Sequence, residues 1–401
     1  MVKVENKKYQ LFLLVALIVS SGTLFTTWYL HWYEKVPSNI KIKAGVEQTL
    51  DLEVPATGHI YKKSESVNND NAIYVNFGKA VTVKADSLQS YQVDLKLFGI
   101  FPLKSVDIDI IEDRELIPAG IPIGIYVETE GVLVIGIGEF ENNQGMEASP
   151  AKYLLQEGDY ILEVNGVPIE SKKALVECIS LSEGKPMTLK IERQEKTFDI
   201  KIQPVMNQNE EYKLGIWIRD NAQGVGTLTF LGESNTFGAL GHGINDVDTG
   251  ELLHLDTGSL YLTDIIAIRK GSNGNPGEMT GVIDHSPNRK IGKIYENCEK
   301  GIFGTCSNKV LSQLEEESLP ICLKQDVKVG AAQIISTIGN TREYYDIEIE
   351  EIYLDHYNVN RGILIHVTDE ELLEKTGGII QGMFTSYNGS NNRKTSKYKV
   401  S

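Results

Sequence analysis

The sequence predicts a mainly β, multidomain protein, and three observations support this prediction. The chain has 401 residues, which is enough for two or three domains, each with its own core. Its 37 glycines are typical of the many turns that join short strands. Apolar and polar residues alternate in segments such as 93–97 and 106–110, as they do in half-buried strands. The charged fraction is 23% and the hydrophobic fraction 41%, which excludes a wholly disordered chain and a polytopic membrane protein.

Charge and cysteine content exclude several classes of function. The chain carries 39 Lys+Arg against 55 Asp+Glu, and the resulting charge of −16 argues against non-specific nucleic-acid binding. The four cysteines are scattered, without a C-x-x-C pair, and no H-E-x-x-H motif occurs, so we predict no metal and no cofactor. Cys298 and Cys306 could form a disulfide in an oxidising compartment, and the alternative is that both remain buried, inert thiols.

An apolar segment near the N-terminus predicts a single membrane anchor. Residues 11–30 contain no charge, and as a helix they would span about 30 Å, the thickness of a bilayer's hydrocarbon core. Aromatic residues follow at the far end of the segment, and lysines precede it, which favours a cytoplasmic N-terminus. We therefore predict a cytoplasmic tail at 1–8, an anchor at 9–30 and an extracytoplasmic remainder. The alternative is a cleaved signal peptide, although the segment lacks an A-x-A cleavage site.

The region that follows the anchor contains two smaller units. Short alternating strands over 31–115 predict a small β module with a polar loop at 61–71, and this module would be a spacer or a docking domain. Residues 116–206 predict a compact α+β unit. In it, Asn165-Gly166 between two apolar runs indicates a hairpin. Ser171 is a suitable N-cap for a helix that follows it.

The second unit resembles a PDZ domain. Residues 158–170 read GDYILEVNGVPIE, which is similar to the central signature of that family, and the predicted order of elements also agrees. The resemblance implies that the unit binds extended peptides by adding a strand to a sheet edge. A GLGF-type carboxylate loop is not evident, so which end of a peptide is bound stays open. The alternative is a PDZ fold that serves only for internal docking.

Two residues in the C-terminal half are candidates for catalysis. His242 lies among small residues at 238–243, and the flanking glycines would let a substrate approach the imidazole closely. Asp369 precedes a short predicted helix. Each residue also has a simpler interpretation, since a histidine between glycines is often only a loop residue and an aspartate before a helix is often only its N-cap.

Four motifs in this half resemble the membrane-anchored stage IV sporulation protein B family of serine peptidases. They are FGALGHGIND (237–246), KGSNGNPGE (270–278), GIFG (301–304) and HVTDEELLEKTGGIIQGM (366–383). The resemblance implies a chymotrypsin-like double β-barrel protease domain at 210–383, after the PDZ domain. It also implies that His242 is the general base, that Asp369 orients it and that the backbone N–H of Gly382 faces the oxyanion.

The sequence departs from the family pattern after Met383. The family's nucleophile lies in an S-G-S-P motif, whereas Phe384 occupies that position here, and phenylalanine cannot attack a carbonyl. Ser386 is the remaining candidate, as a displaced nucleophile. The tail 384–401 has four Lys/Arg, no acidic residue and no alternating pattern, so we expect an incomplete second barrel. A frameshift just after Met383 would produce such a tail, and resequencing the last codons would test this hypothesis.

Two functions are therefore expected from the sequence. The first is a membrane-anchored sporulation signalling endopeptidase, impaired by Phe384, which would cleave a membrane-associated regulator and so trigger processing of a late sigma factor. The second is a non-catalytic PDZ scaffold, or pseudopeptidase, that binds the same partners. The expected partners are a protein or peptide substrate at the membrane and a PDZ ligand, which could be part of this chain. The family implies the forespore membrane, with the bulk of the chain in the intermembrane space. A stress protease of the HtrA type is excluded because those enzymes place the protease before the PDZ domain.

Overall fold

The computed structural model describes residues 2–63, 73–272, 275, 277–312, 314, 317–339, 341–353, 362–380 and 385–387. The chain begins with a long helix, α1 (Val2–Lys35). Its segment Tyr9–Lys35 has a mean hydropathy of 1.9 and is long and apolar enough to cross a membrane, a test that a signal sequence would also pass.

A small β module follows the helix. Its strands are β1 (Asn39–Lys43), β2 (Gln48–Leu50), β3 (Ala56–Lys62), β4 (Ile73–Asn76), β5 (Val81–Val83), β6 (Ser90–Leu97) and β7 (Phe101–Ile111). Five of them form a sheet in the order β1-β7-β6-β3-β4, and β2 pairs with β5. The alternation in β6 and β7 buries Val93, Leu95, Val106 and Ile108 in one core. Of the expected polar loop at 61–71, the first two residues belong to β3 and residues 64–71 lie outside the described residues.

The next unit contains the expected hairpin and helix. Its elements are β8 (Glu115–Ile137), β9 (Phe140–Glu141), β10 (Glu147–Ala148), β11 (Tyr160–Val164), β12 (Val167–Pro168), α2 (Lys172–Leu181), β13 (Met187–Arg193), β14 (Lys196–Ile202), β15 (Val205–Met206) and β16 (Tyr212–Lys213). Asn165 and Gly166 both have positive φ, as a two-residue hairpin turn between β11 and β12 requires. The Ser171 hydroxyl accepts a 3.2 Å hydrogen bond from the Ala174 amide and caps α2.

Six strands form a closed barrel. They are the first half of β8 together with β17 (Ile216–Leu231), β18 (Thr236–Ala239), β19 (Leu255–Arg269), β21 (Lys290–Cys298) and β22 (Gly301–Cys306), while β20 (Glu278–Ile283) extends β19 outside the barrel. The closure comes from β8, which pairs with β17 on one side and with β19 on the other. Ile123, Leu228, Phe237, Leu260 and Ile302 fill the interior.

Strand β8 belongs to both the barrel and the PDZ unit, so the observed units differ from the expected domains at 116–206 and 210–383. Its first half is a barrel strand, and its second half pairs with β11 in the PDZ sheet. The PDZ unit is therefore inserted between the first two strands of the barrel instead of preceding the whole barrel. The reason is that β8 is 23 residues long and continues through a bend at Gly131, which has positive φ.

A second sheet packs against the barrel. The remaining elements are α3 (Asn308–Leu311), β23 (Leu319–Pro320), β24 (Gly330–Ile338), β25 (Thr341–Ile352), β26 (Ile363–Val367), α4 (Glu370–Thr376) and β27 (Thr385–Tyr387), with short 3₁₀ turns at Glu233–Asn235 and Lys324–Asp326. The sheet order is β26-β25-β24-β27, and over the described residues this sheet does not close into a barrel. Arg342 fixes it to β8 by donating to the carbonyl oxygens of Pro118 (2.8 Å) and Ala119 (2.5 Å).

Candidate active site and peptide groove

His242 lies in the loop that follows β18, on the surface of the barrel. The Leu240 amide donates a 3.0 Å hydrogen bond to the Thr227 carbonyl and holds the start of this loop to β17. Leu240 has a φ of 72°, a conformation that is rare for a bulky side chain and that concentrates at functional sites. A Cβ at Gly301 would lie 2.6 Å from the Ala239 oxygen, so glycine is needed where β22 approaches the loop.

The hydrogen bond of the His242 ring defines its tautomer. Its Nδ1 lies 2.8 Å from the carbonyl oxygen of Gly243. A carbonyl can only accept, so Nδ1 carries the proton in the neutral ring and Nε2 has the free lone pair. The exposed imidazole therefore presents its basic nitrogen away from its own backbone.

Two side chains that the sequence analysis missed hold this loop in place. Buried Asp246 accepts hydrogen bonds from the amides of Asp248 (2.9 Å) and Thr249 (3.0 Å) and from the guanidinium of Arg219 on β17. The Asn297 amide on β21 bonds both the N–H and the C=O of Ile244. Because Asn297 is 53 residues away in sequence, no local pattern could have revealed the contact.

The environment of Asp246 lowers the pKa of its carboxyl group. Burial, the largest single influence, acts in the opposite direction and would raise the pKa. The hydrogen bonds from Thr249 and Asp248, together with the hydrogen bond and charge of Arg219, outweigh it. Asp246 is thus an ionised anchor for the loop that carries His242.

Asp369 does not contact His242. No hydrogen bond or ion pair joins the two side chains, both of which belong to the described part of the chain. The Asp369 carboxylate instead caps α4, accepting a 2.8 Å hydrogen bond from the Leu372 amide, and its second oxygen lies 3.5 Å from the Asp346 amide. The simpler interpretation of this residue, a helix N-cap, describes its observed contacts.

The segment after α4 leads towards position 384 and is held by the KGSNGNPGE loop. The Gly271 amide donates to the Thr376 carbonyl at 2.8 Å, and Lys270 Nζ lies 2.5 Å from the Glu374 carbonyl oxygen. Gly277 forms a bridge with Ile380. Two motifs that are about 100 residues apart in sequence are therefore in contact, a few residues before Phe384 in the chain.

Three candidate site residues remain, namely Gly382, Phe384 and Ser386, and the structure describes little or nothing of them. Gly382 and Phe384 are outside the described residues. Ser386 lies in β27, where its backbone is paired with Ile334 of β24, and its side chain is outside the described part of the structure.

Cys298 and Cys306 are both free thiols. In the β21–β22 hairpin Cys298 is opposite Gly301 and Cys306 is opposite Gly292, so the two cysteines lie at opposite ends of the ladder. At about 3.3 Å per residue their separation far exceeds the 7 Å limit for a disulfide. Burial raises the pKa of the Cys306 thiol to about 12, which keeps it protonated and inert.

A candidate peptide groove lies between α2 and the first part of β17. Strand β17 pairs with β8 along its length, but on its other edge β18 covers only Leu228–Leu231. Over residues 216–220 that edge has no strand partner within the described residues, and α2 lies beside it, its Lys172 amide donating to Asp220 at 2.8 Å. Partly buried apolar side chains line the groove from both elements, namely Ala174, Cys178, Ile216 and Ile218.

Strand β17 begins at a loop that the sequence analysis did not recognise as part of the PDZ unit. Leu214-Gly215-Ile216 precedes the free edge, with Leu214 buried and Gly215 at a φ of 73°. This loop follows the PDZ signature by some 50 residues in sequence, so a search for a carboxylate loop before the signature misses it. The free edge and the adjacent helix have the geometry that strand addition requires.

The fold and these two sites define a multidomain β protein in which a PDZ unit accompanies a protease domain. Residues 210–393 match the family model described as SpoIVB peptidase S55, and residues 143–193 match a PDZ domain model. A search of curated proteins found no match. Both matches agree with the resemblance to the SpoIVB peptidase family that the sequence motifs indicate.

Proposed function

We propose that this chain is a membrane-anchored signalling protein of the SpoIVB peptidase family whose own cleavage step is impaired. The observation that carries the proposal is the combination of intact supporting motifs with an altered nucleophile position. The motif around His242 is present, and the motifs at 270–278 and 366–383 are present and in contact with each other, whereas residue 384 is phenylalanine.

In this proposal His242 is the general base. Its Nε2 has the free lone pair, because Nδ1 donates to the Gly243 carbonyl, and this is the nitrogen that must receive a nucleophile's proton. Arg219, Asp246 and Asn297 position the loop. The family's nucleophilic serine would follow Met383, and its loss in known triads removes about a millionfold of rate.

We propose a positioning role for Asp369. Its carboxylate caps α4, and α4 leads through Gly377 to the segment that bears the family's nucleophile and the oxyanion-hole residue Gly382. This differs from the direct orientation of His242 that the resemblance implies, because the observed acceptor bonds of Asp369 go to backbone amides. Ser386 is a weaker candidate for nucleophile, since its backbone belongs to a strand ladder.

The PDZ unit would bind an extended peptide along the free edge of β17. Main-chain hydrogen bonds to residues 216–220 would supply affinity, and the apolar groove beside α2 would select side chains. Because Arg219 on this part of β17 pairs with Asp246 and Asp248 in the loop that follows His242, a bound peptide would be held beside that loop. The ligand would be a membrane-associated protein or a segment of this chain.

Helix α1 would anchor the chain in the membrane, with the folded units outside the cytoplasm. Its length and hydropathy support a membrane span, and the lysines that precede the apolar segment favour this orientation. The release of late sigma-factor processing and the forespore location are extensions from the family and form part of the proposal.

A second candidate function is a non-catalytic scaffold, which Phe384 favours. Two proteins distinguish the candidates: the chain as it stands, and a chain in which residues 384–401 are replaced by S-G-S-P and the family's remaining strands. Both would be incubated in vesicles with a peptide library, with products identified by mass spectrometry. We expect defined cleavage by the restored chain, loss of cleavage in its His242→Ala variant, and peptide binding without cleavage by the original chain. Failure of the restored chain to cleave any peptide would contradict the peptidase part of the proposal.

A further inference from the structure

The hairpin that joins β6 to β7 has an unusually apolar tip. Phe98, Ile100 and Phe101 are 56%, 72% and 44% exposed, although they are next to one another in the sequence. Phe98 and Gly99 have positive φ, which forms the tight turn that projects these side chains. Large apolar side chains grouped at an exposed tip indicate an interaction surface.

The tip contacts α1 within the segment that is apolar enough to cross a membrane. Phe98 stacks on Trp28 with ring centroids 5.8 Å apart and planes 5° apart. Phe101 meets Phe25 edge to face at 6.0 Å. The Tyr29 hydroxyl donates a 2.9 Å hydrogen bond to the Pro102 carbonyl. These contacts place the tip beside the last two helical turns of the uncharged segment 11–30.

The contacts also set a depth for the tip. A helix rises about 1.5 Å per residue, so Trp28 and Phe25 lie roughly 3 and 8 Å inside the end of the uncharged segment 11–30. Membrane-surface elements bury their apolar face about 5–10 Å into the boundary between headgroups and acyl chains. The tip is at this depth if α1 spans a bilayer.

Two lysines lie near residues 32–36, at the end of α1 and beyond the end of the uncharged segment 11–30. Lys104 Nζ donates to the Val36 carbonyl at 2.7 Å and lies 4.9 Å from the ring of Tyr33. Lys35 lies over the ring of Trp32 at 5.2 Å. Aromatic rings beside lysines are typical of the level of the lipid headgroups.

We infer that the β6–β7 tip inserts into the outer leaflet of the bilayer, so that the β module is a second, peripheral membrane contact beside α1. The occupant of the apolar surface is lipid, because the surface is continuous with the exposed apolar face of α1. This inference rests on the proposed membrane anchor. Two contacts with the membrane instead of one would hold the β module in a fixed orientation to the bilayer.

The test is site-specific photo-crosslinking of the full chain in vesicles of phosphatidylcholine and phosphatidylglycerol. A benzophenone amino acid would replace Ile100, and matched variants would carry it at Leu17 in α1 and at Val247, which is 85% exposed on the protease domain. Unchanged thermal unfolding would show that each variant folds. Mass spectrometry would then identify the adducts. We expect lipid adducts at positions 17 and 100, and at least tenfold fewer at 247.

The possible outcomes separate this inference from the anchor. Lipid adducts at 17 without adducts at 100 would overturn the inference and leave the anchor standing. Protein adducts at 100 would overturn it in favour of a partner protein or a second copy of the chain. Absence of lipid adducts at 17 would overturn the anchor and the inference together.

Discussion

The backbone amide of Gly271 donates a 2.8 Å hydrogen bond to the carbonyl of Thr376, and this bond joins two motifs that are far apart in the sequence. Gly277 and Ile380 extend the contact as a bridge. The segment that approaches position 384 is therefore supported by the hairpin between β19 and β20, although the residue at 384 is phenylalanine.

The close approach of these two motifs predicts a strong effect of Gly377→Ala. Gly377 has a φ of 71°, and a Cβ there would overlap the Gly271 carbonyl oxygen. Gly250→Ala is a matched control, because Gly250 has a φ of 73° and nothing within 4 Å of its Cβ position. We expect the control to lose about 1–2 kcal/mol of unfolding free energy. Gly377→Ala should lose about 1–3 kcal/mol more through overpacking, as measured by chemical denaturation. Equal losses in the two variants would contradict the close contact.

Asp246→Asn should destabilise the protein in a pH-dependent manner. The folded-state pKa of Asp246 is lowered, so its stabilisation is present above the unfolded pKa of about 3.9 and is lost as pH falls through the folded pKa. At pH 7 we expect a loss of about 3–5 kcal/mol, because a buried pair with Arg219 is broken. Asp248→Asn, which removes the exposed partner of the same arginine, should cost about 0–1 kcal/mol. Denaturation measured from pH 7 down to about pH 3 would show the Asp246 difference shrinking; a constant difference would count against the assignment.

Substitutions of Asp369 distinguish two roles: capping of α4, and direct orientation of His242 by the charged carboxylate. Serine also caps helices well, whereas alanine costs about 1 kcal/mol at an N-cap. In the chain with a restored nucleophile segment, we expect Asp369→Ser to keep both stability and peptidase activity, and Asp369→Ala to reduce both. The measurement is thermal unfolding together with the cleavage rate. A stable but inactive serine variant would support direct orientation of His242 by the carboxylate.

A bulky residue on the groove face of α2 should block peptide binding. Ala174 lines the groove, whereas Val176 on the same helix is exposed and points away from it. We expect Ala174→Trp to weaken binding at least tenfold for peptides selected on the unmodified protein by display, and Val176→Trp to leave it within about twofold. Fluorescence anisotropy would measure both affinities. If Val176→Trp weakened binding as much as Ala174→Trp, the assigned groove would be wrong.

Local signals in the sequence predicted much of the fold. The Asn165-Gly166 turn, the Ser171 cap and the alternation in β6 and β7 each depend on neighbouring residues, and the structure contains all three. The insertion of the PDZ unit was not predicted, because β8 pairs with β19, more than 100 residues later, and nothing local to β8 indicates that partner.

In the candidate site, too, contacts between residues distant in sequence could not be predicted. The glycines around His242 indicated a special loop, but its supports, Arg219 and Asn297, lie on other strands. Asp369 had two interpretations in the sequence; its observed contacts are those of a helix cap, and its role towards His242 stays a prediction.

We propose that the catalytic apparatus is folded but lacks its nucleophile. The most direct measurement treats the full chain in vesicles with a fluorophosphonate probe and locates any adduct by mass spectrometry. We expect no adduct on the chain as it stands, and an adduct on the restored serine at position 384 that disappears when His242 is replaced by alanine. An adduct on Ser386 of the original chain would contradict the loss of the nucleophile, because it would show a displaced serine that reacts.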